Sequence, residues 1–200
     1  MTMQPGVPAG PPLVLGIAAF PWPGSAAELM VHDILATVAA RRAQTRLLDV
    51  RELDLPLCSP HATRHPDGAA LLWSAVGAAD AVVVGASCPG GNVGGLLGNA
   101  LDYLRELYGD DRSCLQGLPV ATVVSAHDWE SAVTALGNVR QTVHALGGWP
   151  TPLGVVVNTA GPAQDERLPG VVDTVAEQLL TRFAAYMPAS QPDATVPHAC

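Results

Sequence analysis

Two kinds of stretch alternate along the chain. Short apolar runs at residues 13–18 (LVLGIA), 45–50 (TRLLDV), 81–86 (AVVVGA), 118–125 (LPVATVVS) and 153–158 (LGVVVN) have the length and β-branched content of strands buried on both faces. Between them, residues 25–42, 67–77, 96–108, 130–146 and 170–186 carry apolar positions at helical spacing. Ser25 opens the first helix with Glu28 three residues on, a capping box. Gly147-Gly148 stops the fourth. Residues 51–67 hold three prolines and read as an irregular excursion with at most one helical turn.

Five strand–helix units in alternation require a parallel sheet covered by helices on both faces, because right-handed crossovers allow little else. The expected fold is therefore a single α/β three-layer sandwich over residues 13–186, with a five-stranded sheet in the order 2-1-3-4-5. In such a sheet the ligand crevice lies outside the carboxyl ends of the strands, where the strand order reverses. That rule selects three loops: 19–24 after strand 1, 87–95 after strand 3 and 125–129 after strand 4.

Composition narrows the chemistry. The net charge of −8 leaves no cationic surface for nucleic acid. No apolar run approaches the eighteen or so residues that span a bilayer. Residues 1–12 contain no Lys or Arg, so they read as a flexible tail rather than a signal peptide, and a cytoplasmic protein is expected. Residues 187–200, with three prolines, read as a second tail. All ten cations are arginines, which excludes lysine Schiff-base chemistry and a P-loop. The cysteines Cys58, Cys88, Cys114 and Cys200 have no metal-ligand spacing, and loop histidines His61 and His65 lack carboxylate or thiol partners at ligand distance in sequence, so no metal site is expected.

Three stretches carry a resemblance. Residues 94–104 (GGLLGNALDYL) are similar to the helix after strand 3, PGxLKNALDWL, of the NAD(P)H-dependent FMN reductases. Residues 50–60 (VRELDLPLCSP) resemble that family's connection after strand 2, and 143–159 (VHALGGWPTPLGVVVNT) its passage into strand 5. The resemblance covers about residues 13–186 and implies a flavodoxin-like fold. It also implies FMN as cofactor, NAD(P)H as reductant, a small-molecule acceptor such as a quinone, flavin or partner oxygenase, and a homodimer or homotetramer.

The ligand loops depart from the family pattern. Where the family has SGSxRxGSxN around the phosphate, this chain has AAFPWPGSAA, residues 18–27. Ala18 and Phe20 replace serines, Trp22 replaces the arginine and Ala27 the asparagine; Gly24 and Ser25 match. Losing three hydrogen bonds at roughly 1–3 kcal/mol each would weaken FMN binding by a few orders of magnitude. In the loop after strand 3, Ser87, Pro89, Asn92 and Gly94 stand for the family's proline, tyrosine, serine and second proline, while Gly90 and Gly91 still let a flat ligand approach the backbone. After strand 4 the chain has His127-Asp128-Trp129.

The expected cofactor-binding set is Phe20, Trp22, Gly24, Ser25, Ser87, Pro89, Gly90, Gly91, Asn92, His127 and Trp129, with Phe20, Trp22 and Trp129 lining one pocket with Cys88. His127 is the candidate acid or base, and Asp128 alternatively only caps the next helix. Cys88, near a helix N-terminus that would lower its pKa, is the candidate nucleophile, or else a half-buried inert thiol. Two functions follow: an FMN-dependent NAD(P)H oxidoreductase, or a flavin-free relative acting on a small aromatic or polyketide-like substrate or serving as a non-catalytic partner subunit.

Overall fold

The structure is a computed structural model and describes residues 10–59, 64–106, 114–160 and 168–184. Residues 1–9 of the first expected tail and all of the second lie outside the described residues, as does His61. The elements run β1 (Leu13–Ala19), α1 (Ala26–Ala40), β2 (Gln44–Asp49), a 3-10 turn (Val50–Leu53), α2 (Asp67–Ala78), β3 (Ala81–Ser87), a 3-10 turn (Pro89–Gly91), α3 (Gly95–Glu106), β4 (Pro119–Ala126), α4 (Trp129–Ala145), β5 (Trp149–Pro150), β6 (Val155–Asn158) and α5 (Leu168–Ala184). All strand pairs are parallel, in the order β2-β1-β3-β4-β5, and β6 also pairs with β4. The flavodoxin-like sandwich expected from the apolar runs is the fold observed.

The single fifth strand is a correction. β5 pairs with Pro119–Val120 and β6 with residues 123–126, so one sheet position is filled by two short pieces. Between them Pro152 has no N–H to donate. The Leu153 N–H turns instead to Gln178 Oε1 of α5 (2.8 Å), and Arg140 donates to the Thr151 carbonyl (2.7 Å).

Each sheet face has its own core. Leu15, Ile17, Val82, Val84 and Val124 pack under α2, α3 and α4, whereas Val14, Ala18, Val83 and Val123 pack under α1 and α5. This alternation along β1 and β3 is the period-2 geometry of a strand covered on both sides.

Two of the family-like stretches touch each other. Asn99 on α3 accepts from the Cys58 N–H (2.8 Å) and donates to the carbonyls of Pro56 (2.9 Å) and Leu55 (3.3 Å). Tyr103 of the same helix donates to the Pro56 carbonyl (3.2 Å). The proline-rich segment after β2 has no ladder of its own, so side chains of α3, Asn99 above all, take up its backbone groups. Asn99→Ala removes all three bonds at a half-buried position and is expected to cost about 1–2 kcal/mol, lowering the melting temperature by about 2–8 °C. A melting curve by circular dichroism checks this, and a shift under about 1 °C would contradict it.

Candidate functional site

The loops after β1, β3 and β4 leave the same sheet edge because every strand runs the same way, so the crevice is set by topology. In the first loop Trp22 is 61 % exposed and Gly24 has φ +78°, a left-handed conformation that favours glycine. Ser25 caps α1, its Oγ accepting from the Glu28 N–H (3.1 Å).

The loop after β3 is pinned at both ends and open in the middle. The Cys88 N–H donates to the Ser125 carbonyl (2.7 Å), and Asn138 of α4 donates to the Gly91 carbonyl (2.9 Å). A Cβ on Gly94 would lie 2.2 Å from the Ser87 carbonyl oxygen, so the two ends of the loop meet backbone to backbone at a residue without a side chain. Gly90 (φ +67°) and Gly91 (φ +80°) turn the chain between them. Pro89, Gly90 and Asn92 are exposed, and a Cβ on Gly90 would meet nothing within 4 Å. At Gly90 the backbone is exposed with no side chain over it.

After β4, Asp128 is the cap of α4: it accepts from the Ser131 N–H (2.7 Å) and hydroxyl (2.8 Å). Those two bonds, first the N–H and then the hydroxyl, hold its carboxyl below the usual range, with His127 adding a smaller pull. His127 and Trp129 are exposed, Trp129 at 55 %.

Three expected site residues are buried: Gly91 beneath α4, Phe20 and Cys88. Phe20 is 1 % exposed and belongs to the core under α1, packed where Gly85 leaves room: a Cβ there would lie 2.9 Å from its ring. It is not a crevice wall, because burying a phenyl ring beneath α1 removes far more apolar surface from water than a loop position allows. Cys88 is fully buried against the opposite core. Burial pushes its thiol up, and the Gly94 N–H opposes this only in part, so the expected lowering at a helix N-terminus is not found. Of the expected set, Trp22, Gly24, Ser25, Ser87, Pro89, Gly90, Asn92, His127 and Trp129 are exposed or half-buried at the loops leaving this edge, and Phe20, Cys88 and Gly91 are buried.

The structure adds two residues that spacing did not single out as site groups. Glu28 is 7 % exposed, and one carboxylate oxygen accepts from the Gly24 N–H (2.5 Å), one residue before the position a capping box serves. The other accepts from Arg51 (3.3 Å), which reaches across from the 3-10 turn after β2. Arg51 is also forked onto Asp49 through Nε (3.0 Å to each oxygen) and Nη2. This pairing is the main force holding Asp49 below the ordinary carboxylate range. His65, the remaining loop histidine, lies 3.5 Å from Glu106 and edge-on to Trp73 at 4.8 Å. It sits in the connection before α2, which is not one of the three crevice loops.

The sequence pattern of NADPH-dependent FMN reductase matches residues 12–162. No match is found among curated protein sequences. Similar solved structures include an oxidoreductase from Corynebacterium diphtheriae (TM-score 0.71, 19 % identity, 88 % of this chain and 99 % of that one). Another is the flavoenzyme NAD(P)H:(acceptor) oxidoreductase from Paracoccus denitrificans (TM-score 0.63, 19 % identity, 85 % and 98 %). A third is the NAD(P)H:quinone oxidoreductase from Methanothermobacter marburgensis (TM-score 0.62, 10 % identity, 86 % and 96 %). Likeness at these identities establishes the fold.

Proposed function

The chain belongs to the NADPH-dependent FMN reductase family, and from that membership and the exposed backbone of its loop after β3 we propose that it is a flavin-dependent oxidoreductase. It takes electrons from NAD(P)H and delivers them to a small acceptor: a quinone, a free flavin or a partner oxygenase. The observation that carries this reading is the exposed backbone at Pro89 and Gly90, in a loop held at the buried Gly91 by Asn138 and closed at its neck by Gly94. The same membership supports a homodimer or homotetramer working in the cytoplasm. Among the described residues no helix is long and apolar enough to cross a membrane.

The residues present fit an isoalloxazine ring and do not fit its 5′-phosphate. At the ring end, the exposed Gly90 lets a flat ligand approach the backbone, and Trp22 and Trp129 are exposed aromatic surface at the same sheet edge. At the phosphate end, residues 19–28 include no cation, and the Gly24 N–H is already taken by Glu28. A bound flavin would supply the redox chemistry itself; the chain is left to bind, orient and shield it.

A second reading, a flavin-free enzyme on a small aromatic substrate, is favoured by the Glu28 carboxylate at the head of α1. The two separate in one set of measurements. Titration of the purified protein with FMN, followed by quenching of flavin fluorescence, is expected to give a dissociation constant above about 1 μM, given the hydrogen bonds missing from the phosphate loop. Sub-micromolar binding would contradict that account of the loop. His127→Ala is expected to leave NAD(P)H-dependent turnover within about tenfold, since His127 then contributes only contact. In a flavin-free enzyme it is the available acid or base, and its loss would cost about 10²–10⁴-fold.

A further inference from the structure

We infer that Glu28 sets which flavin the crevice accepts, by keeping its own carboxylate beside the head of α1, where a terminal phosphate would otherwise sit. The crevice then takes riboflavin, which ends in a hydroxyl, at least as well as FMN. This rests on the reading of the site as a flavin site and deepens it.

Strand order reverses between β2-β1 and β3-β4, so the N-terminus of α1 opens at the switch point of the sheet. A helix N-terminus there is the natural seat for an anion, because its first N–H groups point outward unpaired and the helix dipole is positive at that end. In this chain a carboxylate of the protein stands beside that end, on the Gly24 N–H just ahead of the Ser25 cap. Glu28 stands in the first turn of α1, more than nine-tenths buried, with one oxygen on the Gly24 N–H and the other on Arg51. Ser25 Oγ is committed as well, accepting from the Glu28 N–H.

The cation nearest this seat offers no surplus charge. Arg51 is shared by Asp49 and Glu28, so two carboxylates are balanced by one guanidinium and the cluster carries a net charge of −1. A phosphate dianion arriving beside it would meet like charge in a partly desolvated setting, where such repulsion is strong. It would also find the Gly24 donor occupied. A ribityl hydroxyl meets neither obstacle, since it is neutral and can donate to a carboxylate as well as accept.

The test is equilibrium titration of the full chain with riboflavin and with FMN, by flavin fluorescence quenching, for wild type and Glu28→Gln. Wild type is expected to bind riboflavin as tightly as FMN or more tightly. Glu28→Gln removes the charge while keeping the shape, and is expected to tighten FMN by about tenfold or more with riboflavin within about threefold. Wild type alone gives a second readout that does not depend on the variant folding: raising salt from about 20 mM to about 500 mM screens the repulsion and strengthens FMN binding but not riboflavin binding. Wild type preferring FMN by about tenfold, an unchanged FMN-to-riboflavin ratio in a folded Glu28→Gln, or FMN binding weakened by salt would each overturn the inference while leaving the flavin enzyme intact. If neither flavin binds either protein, the flavin reading itself falls and this inference with it.

Discussion

Phe20→Ala is expected to lower the free energy of unfolding by about 3–5 kcal/mol, the usual cost of emptying a buried phenyl site. The ring is 1 % exposed and packs with Val31, Val83 and Ala27 between the sheet and α1. Its neighbour Gly85 has no side chain to move into the void, and a Cβ there would already lie 2.4 Å from Val31 Cγ2, so the surroundings are too tightly set to collapse around the cavity. At about 2–4 °C per kcal/mol for a domain of this size, the melting temperature should fall by about 6–20 °C. Thermal or urea unfolding followed by circular dichroism measures it. Were Phe20 a wall of the crevice, the variant would melt within a few degrees of wild type and lose affinity for aromatic ligands instead.

Gly94→Ala is the second large effect, and it acts through the backbone. The added methyl would lie 2.2 Å from the Ser87 carbonyl oxygen, far inside contact distance, and no flexible side chain is there to give way. The loop after β3 must therefore open at its neck. Overpacking of this kind costs about 1–3 kcal/mol, and more where the obstacle is backbone. The strain falls on the segment proposed to carry the ring, so flavin affinity should drop by about tenfold or more along with stability, since each 1.4 kcal/mol is a factor of about ten. Gly90→Ala offers a comparison: a Cβ there meets nothing within 4 Å, and the cost comes only from its left-handed φ of +67°. If Gly94→Ala binds flavin like wild type at a temperature where both are folded, the neck is not what shapes the site.

Much of the scaffold could be read from order and periodicity. Strands at residues 13–18, 81–86 and 118–125 lie within one residue of the observed β1, β3 and β4, because a strand buried on both faces must be continuously apolar whatever it packs against. Ser25 and Asp128 announce their helices for an equally local reason: a cap bonds N–H groups two or three residues away. The placement of all three ligand loops on one edge follows from parallel strands and needs no side chain at all.

What the tertiary structure alone decided is where side chains on those loops turn. Phe20 lies in the loop after β1 and looks like a crevice residue, but a glycine sixty-five positions later on β3 leaves a hole beneath α1 that draws the ring inward. Cys88 follows its strand into the opposite core, where desolvation outweighs the pull of the nearby N–H. Glu28 was legible as half of a capping box, yet its pairing with Arg51 depends on β2 lying beside β1. The break between β5 and β6 likewise waits on Gln178 of α5 to receive the Leu153 N–H. Periodicity and capping are set within a few residues and so survive in one dimension. Burial and charge pairing are set by partners distant in the chain, and they exist only once the sheet has assembled.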